Sequence, residues 1–141
     1  MSAPDFASLS VGDVVSEREL TLDRDRLVRY AGASGDFNPI HYRDDFAQSV
    51  GLPGVLAHGM LTMGAASSQV LEWLGNAGWV QDYQSRFTRP VPVGADAGAA
   101  VTVTAKIGKL DEEARTARID LSVVYDGKTV LGKSQLVVAF A

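Results

Sequence analysis

The 141-residue chain contains no cysteine. Disulfides, thiol nucleophiles and thiolate metal ligands are therefore excluded. Histidine is nearly as scarce, with two in the chain. No close ligand spacing links them to carboxylates, so no metal site is expected. Charge of one sign is not in excess either. The 13 Lys and Arg face 17 Asp and Glu, a net −4. No basic run and no basic patch interleaved with aromatics occurs, which argues against a nucleic-acid partner. Neither a GxGxxG nor a GxxxxGK[ST] pattern is present, so no cofactor is expected.

Charge is locally absent from Phe46 to Leu71. A membrane-spanning helix needs roughly 20 predominantly apolar residues in a row. Here Gly51, Pro53 and Gly54 break the first half, and His58, Gln69 and two serines interrupt the second. The helical part, Gly59 to Leu74, is too short to span. It reads instead as a helix buried on nearly all sides of a core. Met1 to Val11 shows no basic stretch followed by an apolar one, so no secretory signal is read there and a cytoplasmic location is the default expectation.

What is present is enough for a core: 46% of residues are hydrophobic, and the length suits one domain over residues 1–141. Val11 to Leu22 reads as a turn and a strand. Asp23 is placed to cap a helix from Arg24 to Ala33, which Gly32 and Gly35 end. A short helical segment runs from Asp44 to Val50. After the charge-poor helix, which Glu72, Trp73 and Leu74 finish, the pattern turns to strands. Tyr83 to Val91 alternates before Pro90 and Pro92. Val101, Val103, Ala105 and Ile107 share one face of a strand from Ala99 to Leu110, and Ala117, Ile119, Leu121 and Val123 share one face of Arg115 to Tyr125. Asp126-Gly127 signals a type I′ hairpin into a last strand, Thr129 to Phe140. An antiparallel sheet around one apolar helix (class α+β) accommodates this order. The sheet covers one side of that helix, and a second subunit is the natural cover for the rest.

The chemistry concentrates in Gly35-Asp36-Phe37-Asn38-Pro39-Ile40-His41. On a continuous helix, Asp36 and His41 would point well apart. Pro39 opposes such a helix and biases Asn38 towards extended backbone. A turn then brings a carboxylate and an imidazole to one pocket, where they can transfer protons. The bland alternatives are an Asp that only makes a turn and a His that is only half-buried. Asn38 either holds the turn or binds a catalytic water. Gly59, opening the buried helix, either starts it or lets a ligand reach its free N–H at the positive helix end. His58 caps that helix or packs beside it.

Three segments resemble the MaoC-like dehydratases and (R)-specific enoyl hydratases, which have the hotdog fold. Tyr30-Ala31-Gly32-Ala33-Ser34-Gly35-Asp36-Phe37-Asn38-Pro39-Ile40-His41 is similar to the hydratase signature, whose catalytic Asp and His fall at Asp36 and His41. Ala57-His58-Gly59-Met60-Leu61-Thr62-Met63-Gly64 is similar to the start of the central helix, and Arg86-Phe87-Thr88-Arg89-Pro90-Val91 to the strand after it. Within the family the likeness is greatest to the B subunit of actinobacterial (3R)-hydroxyacyl-ACP dehydratase, which pairs with a related, catalytically silent subunit in fatty acid elongation. The resemblance implies dehydration of a (3R)-3-hydroxyacyl thioester to the trans-2-enoyl thioester, or the reverse hydration, on acyl-ACP or acyl-CoA. It implies a homodimer, or a heterodimer with a related hotdog subunit. It further implies Asp36 and His41 as the acid–base pair, Gly59 at the thioester carbonyl, Asn38 in support, and Met60, Leu61 and Met63 beside the acyl chain. Several hydratases carry a Ser one and a half turns into the helix, where this chain has Gly64. The competing readings are a hotdog acyl-thioesterase and a non-catalytic subunit. Thioesterases of that fold usually place an acid on the central helix, and Gly59 to Leu71 has none.

Overall fold

The computed structural model describes residues 2–141. Alternating apolar residues build five strands, β1 (Val14–Leu22), β2 (Gly78–Phe87), β3 (Ala99–Asp111), β4 (Thr116–Tyr125) and β5 (Lys128–Phe140). They form one antiparallel sheet in the order β1-β3-β4-β5-β2. The two alternating sets in β3 and β4 turn one way, each side chain no more than 6% exposed. Asp126 and Gly127 join β4 to β5 with φ of 49° and 70°, as a type I′ turn requires.

Three helices accompany the sheet: α1 (Arg24–Ser34), α2 (Asp44–Ser49) and α3 (Gly59–Leu74). Asp23 caps α1, its carboxylate accepting from the Arg26 N–H. The helix passes through Gly32 and ends at Gly35, one stop signal later than its first glycine. α3 packs Ala66, Val70 and Leu74 into the same apolar cluster as the inward faces of β3, β4 and β5. This is the α+β hotdog arrangement, a sheet around a central helix. None of the helices among the described residues is long and apolar enough to cross a membrane.

Two expectations change. β2 starts at Gly78 rather than Tyr83 and stops at Phe87 rather than Val91. Beyond Thr88 the chain leaves the sheet, and Val91 and Val93 bond instead to the segment before α3: Ala57 N–H to the Val91 carbonyl, and Val93 N–H to the Val55 carbonyl, both 2.9 Å. Second, α3 is not buried nearly all round. Met60, Gly64, Ser68 and Leu71, one residue per turn, are exposed. Met60 and Leu71 remain 57% and 49% accessible. The sheet covers one side, and this stripe, with Met60 and Leu71 as its large apolar members, is what it leaves.

The polar joints lie around the loop from α2 to α3. Asp44 accepts from the Val55 N–H at 2.9 Å and from the Arg24 guanidinium, while Arg24 also donates to the Val93 carbonyl at 2.6 Å. The Val55 N–H, then Arg24, hold the Asp44 carboxyl below its ordinary range. One side chain thus ties α1, α2 and the segment feeding α3.

Candidate active site

The turn after α1 is built from its own side chains. Asp36 Oδ1 accepts from the Asn38 N–H, and Asn38 Oδ1 accepts from the Ile40 N–H, both at 3.2 Å. Asn38 thereby caps a single 3₁₀ turn, Pro39–His41, with proline at its start where no N–H is missed. Of its two expected roles, Asn38 visibly performs turn-holding. With Oδ1 of Asp36 engaged, Oδ2 is the oxygen that meets the imidazole.

That oxygen lies 3.9 Å from His41 Nε2. The separation is too long for a direct hydrogen bond. The segment before α3 is pinned to the turn: Leu56 N–H donates to the Ile40 carbonyl at 3.0 Å, and His41 Nδ1 lies 2.7 Å from the Leu56 carbonyl. A carbonyl only accepts, so Nδ1 carries the hydrogen. In the neutral ring Nε2 is therefore bare and faces Asp36. The pair is set to take a proton at Nε2, or to donate one once the ring is charged.

A cavity of about 390 Å³ opens beside the pair, lined by Asp36, Ala57, His58, Gly59, Met60, Thr62, Phe87, Thr88, Arg89, Pro90, Val91, Val130 and Leu131. Asp36 is in its wall. His41 is not among the lining residues, and its side chain, 10% exposed, reaches the wall through Nε2 beside Asp36. Gly59 begins α3, and no side chain caps that end. Among the described residues no acceptor meets the Gly59 N–H. Phe87 lies against it: a Cβ on Gly59 would come within 2.9 Å of the Phe87 ring. A glycine thus permits the close approach of the Phe87 ring, and the unpartnered N–H on the cavity wall is available to an oxygen with growing negative charge.

The expected acyl neighbours divide. Met60 lines the cavity; Leu61 and Met63 do not, and pack against the core instead. The Met63 carbonyl accepts from the Tyr83 hydroxyl at 2.7 Å. Gly64 is exposed with open space around it. The apolar wall comes largely from Val91, in the segment after β2, and from Val130 and Leu131 near the start of β5, which sequence spacing alone did not connect to Asp36.

His58 is the residue sequence reasoning undervalued. It occupies the N-cap position of α3 but makes no capping bond. Its ring, 1% exposed, stacks on His41 with centroids 3.9 Å apart and planes 22° apart. Burial, followed by the nearby His41, pushes its pKa down, against the opposing bond to the Asp36 carbonyl. The only sequence signal was its place next to Gly59. Asp36, His41 and His58 offer donor atoms within 4.8 Å of one another, a proximity the sequence spacing did not suggest. Asp36 and the bare His41 Nε2 have the donor chemistry to hold a divalent ion, whereas one His58 nitrogen is occupied by the Asp36 carbonyl 3.2 Å away.

Residues 6–124 match a protein family described as MaoC like domain. An (R)-specific enoyl-CoA hydratase of Rhodospirillum rubrum is 36% identical over 98 residues, which are 69% of this chain and 63% of that protein. A 3-hydroxybutyryl-CoA dehydratase of Methylorubrum extorquens is 31% identical over 112 residues, 79% of this chain and 69% of that one. The solved structure of a MaoC-like dehydratase superposes with a TM-score of 0.91 at 37% identity, covering 99% of this chain and 43% of the other. The chain thus spans less than two thirds of the Rhodospirillum hydratase and less than half of that solved chain.

Proposed function

The chain belongs to the MaoC-like domain family, and on that premise we propose that it interconverts (3R)-3-hydroxyacyl and trans-2-enoyl thioesters. It is then a hydro-lyase of fatty acid metabolism, contained in one MaoC-like domain over residues 1–141 and acting on substrates carried by CoA or ACP in the cytoplasm. The carrying observation is the His41 ring: its Nδ1 is committed to the Leu56 carbonyl, so its bare Nε2 faces Asp36 Oδ2 across 3.9 Å. That gap admits an oxygen hydrogen-bonded to both groups.

In this reading the thioester oxygen accepts from the Gly59 N–H. In hydration, His41 Nε2 takes a proton from water as the water oxygen bonds to C3. Electron density moves through C2 to the carbonyl oxygen, where the Gly59 N–H stabilises it. Protonated Asp36 then delivers its proton to C2. Dehydration runs the same steps backwards: the Asp36 carboxylate removes the C2 proton, and protonated His41 donates to the leaving hydroxyl. Both directions use the same total number of protons on the pair, and every proton has a named donor and acceptor without a cofactor.

Met60 on the cavity wall suits the first carbons of an acyl chain, with Leu61 and Met63 behind it in the core. For the carrier, Arg89 stands out among the exposed cations near the site. It lines the cavity and also a smaller depression with Tyr125 and Lys128. Arg43, by contrast, is paired with Asp45 at 2.6 Å. The partner is a second hotdog subunit, identical or related. The exposed stripe of α3, Trp79 at 54% exposure, and the position of β2 at the sheet edge support it.

The test follows enoyl-thioester absorbance with crotonyl-CoA and a longer trans-2-enoyl-CoA, with free thiol measured in parallel. Loss of absorbance with (3R)-3-hydroxyacyl product and no thiol supports the reading. Thiol release without hydration replaces it with a thioesterase.

A further inference from the structure

His58 spends a buried polar atom in a place where an apolar ring would pack. Its Nδ1 is buried and has no hydrogen-bond partner among the described residues. Buried polar atoms in folded proteins are almost always bonded, so an orphan calls for a reason. One flank of the ring is His41, stacked at 3.9 Å; another is the edge of Tyr30, with centroids 4.8 Å apart at 67°. A phenyl group could occupy that slot without the orphan. It could not supply the other bond: His58 Nε2 lies 3.2 Å from the Asp36 main-chain carbonyl. Since a carbonyl only accepts, Nε2 carries the hydrogen, and the lone pair falls on the unpartnered Nδ1.

Resting on the dehydratase reading, we propose that His58 is a positioning residue, a neutral spacer that sets the gap between Asp36 and His41. One face of its ring fixes the plane of the His41 imidazole. Its Nε2–H fixes the backbone of Asp36. A single rigid side chain in the cavity wall therefore joins both halves of the pair. Without it, the carboxylate and a charged imidazole can close the 3.9 Å separation to a direct ion pair, which commits Nε2 to Asp36 instead of to a reacting oxygen set beside the two.

The neutrality of the spacer follows from the same geometry. A proton on Nδ1 would create a buried cation with no acceptor, stacked on the imidazole that must itself take a proton. The titratable groups facing the ring are Asp36 from the turn, His41 from the 3₁₀ turn and Tyr30 from α1. The depressed pKa of His58, caused first by burial, agrees with this.

The test uses the full chain, with any partner it needs, and trans-2-enoyl-CoA hydration. His58→Phe keeps the stacked ring and removes the donor. We expect kcat to fall roughly 10- to 100-fold, as for a small misplacement of reacting groups, with KM changed less than about threefold. His58→Gln keeps an N–H donor of similar reach but loses the ring, and is expected to fall less than His58→Ala. In an Asp36→Asn background, His58→Phe should add no further loss, because it acts through a pair already disabled. Wild-type kcat in His58→Phe, or a full additional loss in the Asp36→Asn background, overturns the proposal. Should the variants fail to fold, the imidazole ¹⁵N spectrum of the wild type decides. It should show His58 protonated at Nε2 and bare at Nδ1 at about pH 6.5, where a free imidazole is half charged, and a His58 ring half charged or more at that pH overturns the spacer. A wild-type protein without hydratase activity would remove the underlying reading instead, so the two failures are distinct.

Discussion

Gly59→Ala separates catalysis from folding more cleanly than any other change in the site. The new Cβ would stand 2.9 Å from both Cδ1 and Cε1 of Phe87. Carbon atoms pack best at roughly 3.5–4.0 Å, so the ring must retreat by about 0.5–1 Å. Phe87 is 55% exposed, and a half-exposed ring can swing outward at little cost. The Ala side chain also favours helix slightly over Gly. These effects oppose each other, and stability should change by no more than about 1 kcal/mol, a Tm shift within about 4 °C. Chemistry should respond differently. The methyl and the displaced ring crowd the unpartnered N–H that the thioester oxygen needs. Losing one such donor costs roughly 10²–10³ in kcat, so kcat/KM for crotonyl-CoA hydration is expected to fall about 100-fold. Thermal melts and initial rates on the same preparation make the comparison. Wild-type turnover in a folded Gly59→Ala protein would refute the carbonyl site at the start of α3. Unfolding at ambient temperature would refute the claim that Phe87 can yield.

Asp44→Ala removes the acceptor for the Val55 N–H and Arg24. It should lower Tm and also slow turnover, because the loosened segment carries the Leu56 carbonyl that fixes the His41 tautomer; melts and rates should move together. Ile119→Ala opens a cavity under a fully buried β4 side chain and is expected to cost about 2–5 kcal/mol in denaturant titration, with residual folded protein keeping its KM. The depressed pKa of His58 gives a sign for acid sensitivity. The unfolded ring takes a proton below about pH 6.5, whereas the folded one resists. The associated stability is present above that pH and lost as pH falls through it towards the lower folded value. Stability measured from pH 8 downward should therefore fall more steeply in wild type than in His58→Phe; identical slopes would show that His58 charges freely in the fold.

Much of this architecture was legible in the sequence because the signals were local. The mostly apolar run bounded by Gly59 and Gly75 gave α3 its observed ends, and Asp23 and Asp126-Gly127 acted as cap and turn. β2 was cut short because its first half hides its period. A register shift between Val80 and Asp82 breaks the alternation, and Gly78 reads as a breaker. It is instead needed there, since a Cβ would meet the Ala139 carbonyl at 1.9 Å. The far end was overextended because pairing of Val91 and Val93 with the segment before α3 is a tertiary choice. An open face on α3 was expected, since the sheet covers only one side of it; which residues lie on that face was not, because an apolar run in sequence does not say which turn faces the sheet.

At the site, Asp36, Asn38 and His41 were readable as one turn, since proline and the short spacing force it. His58 was not, because its role comes from ring stacking across 17 positions of chain (41 to 58). Nor were the cavity walls at Val130 and Leu131, which arrive through sheet pairing.

The central claim is that Asp36 and His41 together move the two protons of a hydration, and the most direct measurement is the rate of crotonyl-CoA absorbance loss in Asp36→Asn and His41→Ala beside wild type, with folding verified by melts. Each folded variant is predicted to lose at least ~10²-fold in kcat, while retaining substrate binding. Either variant turning over at a near-wild-type rate would contradict the account.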